Sequence, residues 1–366
     1  MGLSAWFRRR ASSRIVTLPR EGRAVIVSDL HGHTGDWAAI QATTRALERI
    51  ADGEDLYLLI TGDVPDVARH RALDPAVPPD GDVRILDELV QLRAALGARA
   101  GRVIYLEGNH DFHVSRICHE VNTFLLGERG APRDGAPLPV DPEAYQAFCA
   151  RYRAVQGERI YENNVLPYDM VPRARREHLA LFAAAPILAV LPGAGVLVTH
   201  AGPPRMAGWR AGDLERAIAG ADRAAMRDAE PEAYYGAPYH QLLNGRFRGG
   251  DYGLHDVDAF LAAFNASLLV TGHTPHPYLI DHERGGALPG CSFQDGLGVI
   301  GERQVVLCSS FGAFRPGLKR VLELDLARRY DGAAQLLAEP GAVRPVYSGA
   351  APAEPVLPGA ALLELA

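Results

Sequence analysis

The most constraining feature of this chain is a run of apolar residues that ends in a carboxylate and an imidazole. Ala24, Val25, Ile26 and Val27 lead through Ser28 into Asp29, Leu30, His31 and Gly32. Four consecutive apolar residues read as a strand buried on both faces, in a parallel or mixed sheet. The polar residues then fall at the strand's C-terminal end, which is where ligands bind in open α/β sheets. A carboxylate and an imidazole two positions apart, beside a glycine that lets the backbone turn, can reach one metal ion. Asp29 or Thr34 capping a helix that begins near Asp36 explains the same residues equally well.

The pattern recurs. Residues 36–51 carry apolar positions at helical spacing, and Leu56–Thr61 form a second apolar run that delivers Gly62 and Asp63. Residues 82–96 read as an amphipathic helix. A third strand over 102–106 then ends in Glu107, Gly108, Asn109, His110 and Asp111. This alternation predicts an α/β core whose first strands are largely parallel. Helices are expected over 114–126, 142–155, 173–185 and 256–264. A strand over 195–199 ends in His200, and one over 267–271 ends in Gly272 and His273. A late strand at 304–309 is expected to pair as a hairpin with 321–326. One domain is expected over 23–330, with helical insertions at about 112–185 and 203–246. Residues 1–22 read as an N-terminal extension, and 331–366, dense in Ala, Pro and Gly, as a poorly ordered or draped C-terminal tail.

Composition removes several classes of function. The net charge of -6 gives no general polyanion-binding surface, so no nucleic-acid partner is expected. The four cysteines, Cys118, Cys149, Cys291 and Cys308, form neither a C-x-x-C pair nor a disulfide framework, which suits reduced thiols and a cytoplasmic location. No apolar run is long enough to span a bilayer, and the basic residues Arg8, Arg9 and Arg10 precede no apolar signal core, so no membrane partner is expected.

Five strand ends thus offer Asp29 with His31, Asp63, Asn109 with His110, His200, and His273. Two metal ions held close together need a bridging carboxylate, and Asp63 stands alone at the second strand end. Asp29 and His31 would complete one ion's shell, and Asn109, His200 and His273 the other's. Mixed oxygen and nitrogen donors suit manganese first, with iron or zinc as alternatives, and speak against a structural zinc site.

The ordered set Asp29-x-His31-Gly32, Gly62-Asp63-x-x-Asp66, Gly108-Asn109-His110-Asp111, His200-Ala201-Gly202 and Gly272-His273 resembles the calcineurin-like metallophosphoesterases. It is most similar to the serine/threonine phosphoprotein phosphatases and their bacterial relatives, which include the symmetrical diadenosine tetraphosphatases. The resemblance implies two mixed β-sheets forming a sandwich flanked by α-helices, with a dinuclear site at one end. It supports the six metal-ligand assignments. In-line attack by a hydroxide bridging the ions is the mechanism that follows, with His110 as general acid. By resemblance Asp66 would hold and charge-stabilise His110. Phosphate oxygens call for arginine. Arg248 resembles the family's second phosphate-binding arginine, and Arg246 is its rival.

The chain departs from the family's pattern in three places. Asp66 is followed by Val67 and Ala68 rather than arginine, Glu107 stands where an arginine usually precedes Gly-Asn-His, and Pro275 stands where many members carry a further histidine. His33 and His113 lie close enough in sequence to support the site, and His276 would become a ligand only by a register shift. The expected function is a metal-dependent phosphatase of phosphate monoesters, phosphoserine or phosphothreonine in protein foremost. One alternative is a nucleotide or dinucleoside polyphosphate hydrolase with Tyr234, Tyr235 and Tyr239 as an aromatic platform. A catalytically inactive binding module is the other.

Overall fold

The fold is a computed structural model that describes residues 14–347 apart from 69–70, 72–76, 127–137, 157–168, 222–225, 227–230, 248–249, 282–285 and 309–315. Two mixed sheets face each other. The first runs β12-β11-β2-β3-β4, with β2 Arg23–Val27, β3 Leu56–Ile60, β4 Val103–Tyr105, β11 Arg320–Asp325 and β12 Val343–Pro345. The second runs β1-β5-β6-β7-β10-β9-β8. Its strands are β1 Ile15–Thr17, β5 Leu188–Leu191, β6 Val196–Thr199, β7 Leu268–Thr271, β8 Cys291–Gln294, β9 Leu297–Ile300 and β10 Gln304–Val306.

Strand alternation explains the layering. Ala24 and Ile26 of β2 point with Leu59 and Ile104 into a core shared with Val196, Val198, Leu268 and Val270 of the facing sheet. Val25 and Val27 point the other way, into a core with the helices α1 Thr34–Thr44, α2 Ala46–Ala51 and α3 Gly81–Leu96. On the far side of the second sheet, Leu197 and Leu269 pack on α7 Ala211–Ala219, α9 Pro238–Asn244 and α10 Leu254–Ala263. The result is a helix–sheet–sheet–helix sandwich in which the central strands are apolar on both faces. Strands β2, β3 and β4 are parallel, as the alternation predicts.

Between β4 and β5 the described chain is helical, in α4 Asn109–Leu126, α5 Pro142–Gln156 and α6 Arg176–Ala184. Between β6 and β7, α8 Pro231–Gly236 precedes α9.

Four local expectations are corrected. The single helix over 36–51 is two, because Arg45 adopts a left-handed conformation (φ 49°). Thr44 accompanies the break: its hydroxyl donates to the Ile40 carbonyl and accepts the Ala46 N–H. Residues 321–326 are not the hairpin partner of β10. They form most of β11, which lies antiparallel to β2 in the other sheet, while β10 pairs with β7 and β9. The folded body also begins before residue 23, since β1 pairs in parallel with β5. Beyond residue 331, α11 Ala333–Ala338 buries Ala333 and Leu336, and β12 completes an edge. The basic stretch near the N-terminus and residues 348–366 lie outside the described residues.

Candidate metal centre

The strand ends meet where the two sheets come together. Asp63 follows β3, and its Oδ2 lies 3.2 Å from His200 Nε2, 3.8 Å from His110 Nε2 and 4.0 Å from His31 Nε2. Two groups of donor atoms share this carboxylate. His31, Asp63 and His110 form one, and Asp63, His200 and His273 form the other, with the donor atoms of each group within 4.8 Å of one another. Every member is buried.

Hydrogen bonds fix which ring nitrogen each histidine presents. His200 Nδ1–H donates to the Thr61 carbonyl (2.8 Å), and His31 Nδ1–H donates to the Pro65 carbonyl (2.9 Å). Each ring therefore turns an Nε2 lone pair toward Asp63. His273 Nε2–H donates to the Asn244 carbonyl (3.2 Å), which leaves its Nδ1 lone pair for the site. Around His200 Nε2 stand Asn109 Oδ1 at 2.9 Å, His273 Nδ1 at 3.1 Å and Asp63 Oδ2 at 3.2 Å. With His200 neutral, four lone pairs converge here, and in the absence of a metal ion a proton on His200 Nε2 fills the gap between them. Such a set repels itself unless a cation sits inside it. Separations near 3 Å suit donors that share an ion at bonds of about 2.0–2.2 Å. Imidazole with carboxylate and amide oxygen is a donor set that divalent transition-metal ions take.

The charges respond to this crowding. Burial raises the Asp29 carboxyl above its ordinary value, opposed by His200 and reinforced by Asp63. Burial works against ionisation of Asp63 too, but His200 and His110 outweigh it and hold Asp63 well below the usual carboxylate range. Burial pushes His200 down, yet Asp63 and Asp29 pull it up to about 9. The field that attracts a proton to His200 is the field that attracts a metal ion.

Local backbone geometry aims these side chains. His31 (φ 41°), Asp63 (φ 53°), Asp66 (φ 81°) and His273 (φ 59°) all occupy the left-handed region. Each costs on the order of 1–3 kcal/mol there, a strain typical of functional sites. The approach of β3 and β4 is equally tight. A Cβ on Gly108 would lie 2.2 Å from Asp63 Oδ1, and a Cβ on Gly62 would lie 2.4 Å from the Gly108 nitrogen. Only glycine fits these two positions.

Not every expected residue sits where the sequence put it. The Asp29 carboxylate accepts the His273 backbone N–H at 2.8 Å, so it ties two strand ends together as well as facing the site. His110 opens α4. Its backbone N–H donates to Asp63 Oδ1 (2.9 Å), and its Nδ1 lies 3.2 Å from Asp66 Oδ2. Arg246 is beside the site, two residues from the Asn244 carbonyl on His273, with its guanidinium 4.9 Å from the Tyr278 ring centroid. Arg248 lies outside the described residues. Glu107, which replaces an expected arginine, is buried and accepts the Tyr239 hydroxyl (2.7 Å), so it faces the interior. His33 accepts the Asp36 N–H and caps α1 (3.0 Å). His276 packs against Phe293 and belongs to neither donor group.

The residue that sequence reasoning missed is Asp111. Its Oδ2 accepts the N–H groups of Gly108 (2.7 Å) and Asp63 (3.1 Å), and its Oδ1 accepts the Tyr105 hydroxyl (2.7 Å). It staples the ends of β3 and β4. The signal was present as the last residue of the Gly108–Asp111 motif, with no role attached.

The sequence pattern described as calcineurin-like phosphoesterase matches residues 22–277, more than half of the 366 residues. The chain belongs to the calcineurin-like phosphoesterase family. Calcineurin-like phosphoesterases are dinuclear-metal hydrolases of phosphoric esters, and this one carries the two-sheet sandwich and the paired His/Asp groups. No curated protein matches the chain. Among solved structures, a cold-active protein-tyrosine phosphatase of a psychrophile, Shewanella sp., is 16% identical with TM-score 0.43. That match covers 86% of this chain and 78% of that one. A second structure of a cold-active protein tyrosine phosphatase is 16% identical with TM-score 0.45, covering 89% of this chain and 79% of that one. In this phosphoesterase, no helix among the described residues is long and apolar enough to cross a membrane.

Proposed function

We propose that this phosphoesterase is a phosphatase of phosphate monoesters in the cytoplasm, with phosphoserine or phosphothreonine of a protein as the substrate that the sequence resemblance favours. The observation that carries the metal-dependent reading is the convergence of Asn109 Oδ1, His200 Nε2, His273 Nδ1 and Asp63 Oδ2 on one point, with His31 beside the same carboxylate. Asp29, His31 and Asp63 would hold one ion, and Asp63, Asn109, His200 and His273 the other, with manganese the first expectation and iron or zinc the alternatives. Such ions lower the pKa of water and neutralise charge on a phosphoryl group.

The chain's own residues do the rest. His110 stands beside Asp63 and would give a proton to the departing oxygen. Asp66 faces its other nitrogen and would orient the ring and stabilise its charged form. Arg246 would bind an equatorial phosphate oxygen. The burial of Glu107 removes an arginine that other members place here, so substrate grip would rest on fewer cations.

The dinucleoside polyphosphate alternative invoked Tyr239 as part of an aromatic platform. That ring is 2% exposed and its hydroxyl is spent on Glu107, which weakens the alternative. The deciding experiment supplies manganese and compares phosphopeptides with diadenosine tetraphosphate. Turnover of phosphopeptides is the expected result. Cleavage of the dinucleotide alone, or no turnover with any divalent ion, would overturn the reading.

A further inference from the structure

One buried carboxylate near the centre has no part in the donor groups. Asp82 stands in the first turn of α3 with no exposed surface. An acidic residue in a helix's first turn serves the helix dipole from the surface, without burial. Asp82 is enclosed instead. Its Oδ1 accepts the Val83 N–H (2.8 Å) and lies 3.6 Å from Arg173 Nη2. Burial raises its carboxyl to about 6, opposed by Arg173 and then by the N–H groups of Val83 and Val67. Enclosing this carboxylate costs stability and fixes the loops around it.

The loop it fixes is the turn after Asp63. A Cβ on Gly32 would lie 2.7 Å from the Asp82 nitrogen and 2.7 Å from Val67 Cβ, so Asp82, Val67 and the residue after His31 meet at one place. A Cβ on the preceding Gly81 would run into the Gly32 carbonyl oxygen. Asp66 lies between two fixed points of this turn. On one side the Pro65 carbonyl accepts His31 Nδ1–H (2.9 Å). On the other, the Val67 N–H faces Asp82. Asp66 itself is left-handed (φ 81°), a conformation that persists only where the surroundings over-determine it. Its Oδ2 lies 3.2 Å from His110 Nδ1. Arg173 braces Asp82 from outside, donating from Nη1 to the Pro79 carbonyl (2.7 Å) and from Nε to the Asp169 carbonyl (2.8 Å).

We propose that Asp82 is a positioning residue for proton donation, holding the Val67 end of this turn so that Asp66 stays against His110. The proposal rests on the reading of His110 as general acid and Asp66 as the carboxylate that orients it. It extends that reading to a residue of neither donor group, acting through Asp66. The orientation of the His110 ring matters to the rate only where the departing oxygen needs a proton. A displaced Asp66 therefore slows substrates with poor leaving groups and spares those with good ones.

The test compares an alkyl phosphate with p-nitrophenyl phosphate on the manganese-loaded full-length protein. Asp82→Ala should lower kcat/KM about tenfold on the alkyl phosphate and less than about twofold on the nitrophenyl ester, at unchanged metal content. Asp82→Asn keeps an oxygen for the Val67 and Val83 N–H groups, and should restore the alkyl rate to within about threefold of wild type. Arg173→Met leaves the carboxylate in place without its cation. It should show the alanine pattern at smaller amplitude, and it decides the matter if Asp82→Ala does not fold. No loss, or equal losses on the two substrates, would overturn the proposal and leave the role of His110 standing, provided that His110→Gln still separates the substrates. If His110→Gln does not separate them, the general-acid reading falls and the proposal falls with it.

Discussion

His200 and Asp63 join the two sheets at their shared end. Asp63 leaves β3 of one sheet and His200 leaves β6 of the other, yet Oδ2 and Nε2 lie 3.2 Å apart. The second ring nitrogen of His200 donates to Thr61, also at the end of β3. The pair therefore couples sandwich closure to the donor set. Asp63→Asn is the informative change, because asparagine tolerates the left-handed backbone at φ 53° and keeps the side-chain shape. It replaces one charged donor shared by both groups. Metal analysis should show loss from both sites, and kcat/KM should fall on the order of a thousandfold. Retention of a full complement at either site would show that Asp63 does not serve both.

The proposed general acid, His110, sits between two carboxylates. Its Nε2 lies toward Asp63 and its Nδ1 toward Asp66. General acids of this kind contribute roughly 10²–10⁴ in rate. His110→Gln should lose about a hundredfold on an alkyl phosphate but under about tenfold on p-nitrophenyl phosphate, whose phenolate departs without a proton. Asp66→Asn should show the same substrate dependence at smaller amplitude. Equal losses on both substrates, with metal content reduced, would make His110 a metal ligand instead.

Arg246 and Tyr278 form a pair across the site's rim, with the guanidinium 4.9 Å from the ring centroid. Tyr278 belongs to the short helix His276–Leu279 that follows His273, so the segment leaving β7 supplies the ring beside the arginine. Arg246→Ala should raise the inhibition constant for inorganic phosphate by about tenfold or more, in line with a charge-assisted hydrogen bond of roughly 1.5–3 kcal/mol. Tyr278→Leu should raise it by about two- to fivefold, and Tyr278→Phe should restore it, as a cation–π contact predicts. An unchanged constant in Arg246→Ala would assign the phosphate to a different cation.

Much of this centre was readable because its residues sit at strand ends. An apolar run such as Ala24–Val27 fixes the side of the sheet on which Asp29 and His31 emerge, and five such runs fix the cluster. What was not readable came from tertiary contacts that leave no local trace. Asp63, Asp66 and His273 take a left-handed conformation that no glycine at their own positions signals. Residues 333–347 look like part of a tail because the stretch 331–366 to which they belong is dense in Ala, Pro and Gly. They are ordered by distant partners: Tyr347 O–H donates to Asp36 Oδ1 (2.6 Å), Val346 N–H donates to the Lys319 carbonyl (3.0 Å), and β12 pairs with β11. Residues 321–326 misled for the same reason, since pairing with β2, nearly 300 positions away, beats the nearer hairpin.

Asp82 offers a test of the packing beneath the centre. It sits in the first turn of α3, wholly buried, where a Cβ on Gly32 would lie 2.7 Å from its backbone nitrogen. Its Oδ1 accepts the Val83 N–H (2.8 Å), and Arg173 Nη2 approaches to 3.6 Å. Burial raises its carboxyl from 3.8 to about 6, with Arg173 only partly opposing. The folded chain therefore binds this proton more tightly than the unfolded chain. Between about pH 4 and pH 6 the folded state holds more protons, so this group's contribution to stability falls as pH rises and levels off above that window. A rise of that size in the carboxyl's pKa corresponds to roughly 3 kcal/mol. Asp82→Asn keeps an oxygen for Val83 and removes the titration. Asp82 is not among the proposed ligands, so the difference between wild type and variant cancels the pH dependence of metal binding. Urea unfolding at a series of pH values should show the variant gaining on wild type by about 3 kcal/mol between pH 4 and pH 7. A difference that stays flat would mean that Asp82 ionises as easily in the folded chain as in water, and that Arg173 fully offsets the cost of its burial.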